Sequence, residues 1–181
     1  MISNHIMVLL EQIREVREGG AVERAHTVPH HGSYNNAQHQ WGAAMLYLQL
    51  HPDPQMDTLS AILTHDLGER WVGDIPAPTK WAKPELKKVL SEMEQDCLDH
   101  LGLDDADLLE EEEARWLKAV DLLDLYLWTL DQQALGNQHV KVVTENILKY
   151  VDDHADDLPE EVLEVYDNFQ WDRSADDIPN Q

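Results

Sequence analysis

The chain has 181 residues, 43% of them apolar, which fits one globular domain with a substantial core and excludes two full-sized ones. Lys and Arg total 13 against 36 Asp and Glu, a formal charge of −23, so the surface repels nucleic-acid backbones and anionic lipid headgroups. Neither a nucleic-acid polymer nor a membrane is therefore the expected partner.

A lone cysteine, Cys97, makes no intrachain disulfide, and the N-terminus lacks a signal-peptide pattern. No stretch approaches the ~20 uncharged apolar residues of a membrane helix. A cytoplasmic location is the expectation.

Apolar residues recur at helical spacing almost throughout, which predicts an all-α fold. Ile2, Ile6, Leu9, Ile13 and Val16 line one stripe of a first helix, and Gly19-Gly20 ends it. From Ala21 to Asn36 the pattern gives way to an unusually long loop with Pro29 and Gly32. A second helix runs from Asn36, read as its N-cap, to about His51, and a third from near Asp57 to about Trp71.

Val72 to Lys83 holds Gly73, Pro76 and Pro78, which forbid a continuous helix. Pro84 opens a fourth helix ending near Gly102, and a long fifth runs from about Asp105 to Leu135. The acids Glu110 to Glu113 form a solvated face suited to a helix N-terminal half. Two shorter helices, roughly His139–His154 and Pro159–Gln170, complete a domain over residues 1–170, before a loosely held acidic tail at 171–181.

Chemistry concentrates at a few positions. The third helix carries His65-Asp66, with Glu69 about one turn further on. An isolated His-Asp dipeptide is most simply a buried ion pair. His39 near the start of the second helix, and Asp121 in a segment of the fifth that is apolar on nearly every face, change that weighting. Two imidazoles with the carboxylates of Asp66 and Asp121 suit a mixed N/O site for Mn²⁺, Fe²⁺, Co²⁺ or Zn²⁺ rather than Ca²⁺. Helices two, three and five would then meet at the metal.

A histidine, a later His-Asp and a distant aspartate resemble the pattern of the HD-domain phosphohydrolase superfamily. The likeness is stronger to the bacterial HD-domain 5′-deoxynucleotidases and the related phage deoxynucleotide phosphohydrolases. Arg24, Asn36-Ala37-Gln38-His39, His65 to Glu69, Gly73-Asp74-Ile75-Pro76-Ala77-Pro78-Thr79-Lys80 and Ala119-Val120-Asp121 carry it. The resemblance implies an HD-domain helical bundle and a homo-oligomer. It implies that His39, His65, Asp66 and Asp121 hold the metal, that Glu69 handles the attacking water, and that Arg24 with Asp74 organises the phosphate.

Lys80 is a candidate second phosphate contact, or else a solvated lysine; Asp74 could equally cap its proline-containing turn. Asp124 is a competing ligand to Asp121, which the resemblance favours, leaving Asp124 behind the ligands or on another face. In the 5′-deoxynucleotidases the residue after the loop arginine is typically a tryptophan that crowds the sugar 2′ position. Here Ala25 stands there, so ribonucleotides are not excluded by that route unless His26 or another loop residue fills the space.

The expected reaction is phosphate release from deoxynucleoside 5′-monophosphates. The alternative within the class is a dATP-type triphosphohydrolase, with Mg²⁺ accompanying a polyphosphate substrate. From another class comes a non-enzymatic acidic protein imitating nucleic-acid charge, which leaves the metal pattern as coincidence.

Overall fold

A computed structural model describes residues 4–103 and 109–169, and among them every regular element is helical. In chain order these are α1 (Asn4–Gly19), α2 (Asn36–Leu50), α3 (Met56–Thr64), α4 (Glu69–Val72), α5 (Ala77–Ala82), α6 (Pro84–Leu101), α7 (Glu111–Ala134), α8 (Lys141–Asp153) and α9 (Glu160–Asn168). An isolated bridge between Glu23 and Asn35 is the extended pairing among the described residues. The expected acidic tail and the expected helix start at Asp105 lie outside the described residues.

α2 and α7 form the central pair, with α3 beside both and α8 on the other side of α7. Ala43, Tyr47, Ile62, Val120, Leu123 and Val162 are fully buried where α2, α3, α7 and α9 meet. Small residues on α2 at Ala43 and Ala44 let α7 approach closely, and Tyr47 fills the space beyond them.

Three boundaries depart from the sequence reading. Asn35, not Asn36, caps α2: its side chain accepts from the Gln38 amide while Gln38 Oε1 accepts from the Asn35 amide. That frees Asn36 to point inward, where it is fully buried.

The predicted third helix is interrupted between Thr64 and Glu69 by a tight turn. Leu67, Glu69, Arg70 and Trp71 each donate to the carbonyl three residues back, so the backbone winds more tightly than an α-helix there. Gly68 permits this, since a Cβ on it would lie 2.6 Å from the Glu94 carbonyl oxygen. Finally, Glu110 caps α7 in a reciprocal box with Glu113, which explains part of the acidic run.

The first helix also differs from an ordinary core-facing amphipath. Leu9, Leu10 and Ile13 are each about half exposed. No described helix is long and apolar enough to cross a membrane.

The Gly68 approach gives a prediction. Gly68→Ala forces a backbone shift at the α6 crossing, and the expected loss is about 1–3 kcal/mol of unfolding free energy, read from urea denaturation.

Candidate metal centre and active site

His39 lies one turn into α2, His65 at the C-terminal end of α3, and Asp121 near the middle of α7. Their ligand atoms all fall within 4.8 Å of one another. His39 Nε2 is 3.1 Å from Asp121 Oδ1, and His65 Nε2 is 3.9 Å from the same oxygen. Asp66 Oδ2 faces them, 3.7 Å from His39 Nε2 and 3.2 Å from His65 Nε2, although Asp66 falls outside the three-residue group. That oxygen is paired with Arg24 Nη1.

Both imidazoles present the same nitrogen. Nδ1 of His65 lies 2.8 Å from the Ile62 carbonyl oxygen, so it carries a proton and leaves Nε2 aimed at the cluster. His65 Nε2 is buried without a hydrogen bond of good geometry. A buried, unsatisfied imidazole nitrogen beside a second imidazole and a carboxylate fits the donor set of a divalent cation.

The electrostatics are those of concentrated charge. Burial opposes charging of His65, yet the negative charges of Asp66 and Asp121 outweigh it and raise its pKa to about 10. His39 is raised as well, where burial is overcome by hydrogen bonds to Asp121 and Asp124. Burial would push Asp66 up, but His65 and Arg24 hold it far below the usual carboxylate range. Asp121 is likewise held low, with Lys118 the strongest of the opposing influences against burial. Glu69 goes the other way: burial, then the charge of Asp66, push it up to about 8.

The remaining expected residues surround this centre. Arg24 Nη1 donates to Asn36 Oδ1 at 3.2 Å and lies 4.0 Å from Glu69 Oε2. Asp74 accepts the Ala25 amide at 3.0 Å, which ties the Arg24 loop to the segment leading into α5. Ala25 needs that support, because its φ of 51° is left-handed and strained for a residue with a Cβ. Lys80, half-buried on α5, acts electrostatically on Glu94.

Several contributors escaped the sequence reading. Asn36 Nδ2 donates to Glu69 Oε2 at 3.1 Å and to the Asp66 carbonyl at 3.0 Å, joining α2 to the turn. Lys118 Nζ donates to Asp121 Oδ2 at 2.9 Å; its position three residues before Asp121 was the available signal. Asp124 did not escape it: read from the sequence as a rival to Asp121 or a residue behind the ligands, it has its Oδ2 2.7 Å from His39 Nδ1, on the far side of the ring from Asp121. Tyr34 reaches the same carboxylate from a loop, which no spacing rule reveals.

An all-helical scaffold that gathers imidazoles and carboxylates from three segments is that of the HD-domain phosphohydrolases. Over residues 11–167 the chain matches the model of the 5′-deoxynucleotidase YfbR-like family, and it belongs to that family. It is a phosphohydrolase of deoxynucleotides. No curated protein sequence matches.

Among solved structures, a cyanophage S-2L HD phosphohydrolase, DatZ, bound to dA and one catalytic Zn²⁺ ion, superposes with a TM-score of 0.67. It is 23% identical, and the match covers 83% of this chain and 89% of that one. A conserved hypothetical protein from Pyrococcus furiosus gives a TM-score of 0.56 at 16% identity, over 81% of this chain and 99% of that one.

Because His39 and His65 hold their protons more tightly than free histidine does, a metal ion entering the centre must displace them. Titration of metal-free protein with Zn²⁺ is expected to release protons, seen as a buffer-dependent enthalpy. The apparent affinity should rise with pH up to about 10, where His65 gives up its proton unaided.

Proposed function

We propose that the chain releases orthophosphate from 2′-deoxynucleoside 5′-monophosphates at this centre, with His39, His65, Asp66 and Asp121 holding the ion. The observation that carries the reading is the convergence of His39 Nε2, His65 Nε2 and Asp121 Oδ1 within 4.8 Å, with the His65 nitrogen buried and unsatisfied. When bound, a divalent ion supplies a Lewis acid for phosphoryl oxygens and lowers the pKa of water.

Glu69, whose proton affinity is raised by burial and the charge of Asp66 and which accepts a hydrogen bond from Asn36, is a strong general base in its ionised form. Its role is to accept the proton of the attacking water. Arg24 offers its planar fork to the phosphate beside the Asp66 pair. Asp74 acts through the Ala25 backbone, setting where Arg24 points. Lys80 contributes charge from the α5 side.

A monophosphate suits the local charge balance. Lys118 is committed to Asp121 and Lys80 acts on Glu94, which leaves the Arg24 fork, shared with Asp66, as the cation offered to phosphate. A triphosphate brings more negative charge into a chain already at −23.

We place the protein in the cytoplasm, in keeping with a single buried cysteine. Self-association is part of the same proposal, since α1 exposes Met7, Val8, Leu9, Leu10 and Ile13 as an apolar surface. A Leu9→Glu/Ile13→Glu double substitution is expected to shift the species seen by light scattering to the monomer mass.

Substrate is tested by incubating the metal-loaded protein with deoxy- and ribonucleoside mono- and triphosphates. The expected product is orthophosphate, released fastest from deoxynucleoside monophosphates; tripolyphosphate from deoxynucleoside triphosphates would transfer the assignment to the alternative reaction. Equal rates on both sugars would remove the deoxy preference and leave the phosphohydrolase. Arg24→Ala should lower phosphate release with the metal retained, by a factor equivalent to ~2–4 kcal/mol of barrier.

A further inference from the structure

The two imidazoles are oriented by different means. His65 Nδ1 donates to a backbone carbonyl of its own helix, whereas His39 Nδ1 meets a carboxylate brought in from α7, Asp124, at 2.7 Å. Three independent features hold that carboxylate in place. Tyr34 Oη donates to the same Oδ2 at 3.0 Å. The Tyr34 ring is stacked on Trp128 of α7 at 4.6 Å between centroids and 12° between planes. Gly42 supplies the clearance, since a Cβ there would lie 1.9 Å from Asp124 Oδ1.

We propose that Asp124 is a positioning residue for the metal: seated by Tyr34 and admitted by Gly42, it fixes His39 with its proton on Nδ1 and its lone pair on Nε2. This inference rests on the reading of His39, His65 and Asp121 as ligands. A carboxylate behind a ligating imidazole both selects the tautomer and raises the basicity of the ligand nitrogen. Here it has added force because His39 is fully buried, so Nδ1 depends on a partner from the protein rather than on bulk solvent. Tyr34 Oη also lies 3.1 Å from His39 Nδ1, which makes the hydroxyl a reserve acceptor if the carboxylate is removed.

That triangle dictates the test. Zn²⁺ affinity and metal-free melting temperature are measured for wild type, Asp124→Asn, Asp124→Ala, Tyr34→Phe, Gly42→Ala and the Tyr34→Phe/Asp124→Ala pair. Asp124→Asn keeps an acceptor oxygen and loses the charge, so it should weaken Zn²⁺ binding less than Asp124→Ala, for which the expected loss is about 10–100-fold. The double variant removes the reserve acceptor and should lose more than either single change.

In the Zn²⁺ form of wild type, nitrogen-15 NMR should show the His39 proton on Nδ1, hydrogen-bonded and protected from exchange with water, and this protection should be lost in the double variant. If Asp124→Ala fails to fold, Asp124→Asn and Gly42→Ala carry the comparison. Zn²⁺ affinity within twofold of wild type in every folded variant overturns the inference, as does a fall in melting temperature with affinity unchanged. Asp121→Ala is the control. Loss of Zn²⁺ in it, with Asp124 variants unaffected, defeats only the positioning role; retention of Zn²⁺ in it defeats the ligand assignment itself.

Discussion

Asp66, Glu69, Asp121 and Asp124 bring their carboxyl groups together inside a helical interior, and their mutual repulsion is the constraint that the surrounding structure answers. Each is met differently. Arg24 reaches Asp66 from the long loop, Lys118 reaches Asp121 along its own helix, and the two imidazoles lie between them. Glu69 has its proton affinity raised instead, because burial and the charge on Asp66 outweigh Arg24, 4.0 Å from its Oε2. Such a cluster stabilises little by itself, since desolvation offsets most of the attraction, yet it presents the charge pattern that a divalent cation completes.

That constraint accounts for features that otherwise look unrelated. The α3 helix stops at Thr64, and the tight turn that follows places His65, Asp66 and Glu69 on a compact arc rather than along a helix face. Asn36 ties the arc to α2 by bonding both the Asp66 carbonyl and Glu69. Shifting the α2 cap by one residue, to Asn35, leaves Asn36 available for this. Close approach of α2 to α7 through Gly42, Ala43 and Ala44 brings His39 between two aspartates of one helix.

The helical class and the candidacy of His39, His65 and the Asp121/Asp124 pair were legible in the sequence for a physical reason, while the choice of Asp121 over Asp124 came from the family resemblance. Helical periodicity is local, and a histidine or acid set in an apolar stripe is conspicuous because burying it is expensive. Less visible was anything decided by which surfaces touch. Asp121 and Asp124 lie three residues apart, and only the packing of α7 on α2 determines which faces Nε2 of His39 and which faces Nδ1. Asp74 offers carboxylate oxygens to phosphate or to backbone alike, and its bond to the Ala25 amide depends on a loop fold that no pattern encodes. The interruption after Thr64 was missed because the apolar spacing continues through it; Gly68 was the hint, readable only once α6 is seen crossing there.

The loop between α1 and α2 is anchored in an unusual way. Gln132 of α7 accepts from the His31 amide at 2.8 Å and donates back to the His31 carbonyl at 2.9 Å, and Asn137 donates to the Pro29 carbonyl at 2.8 Å. The Gln132 amide thus pairs with a backbone as a neighbouring strand would, although no strand is present among the described residues. Between this anchor and the Ala25–Asp74 bond the chain makes one tight turn, closed by the Val28 amide on the Ala25 carbonyl at 2.9 Å, like a bridge deck between two piers. His26 and Thr27, at the exposed tip of that turn, can therefore change in size and chemistry while both piers, and Arg24 beside one of them, stay where they are.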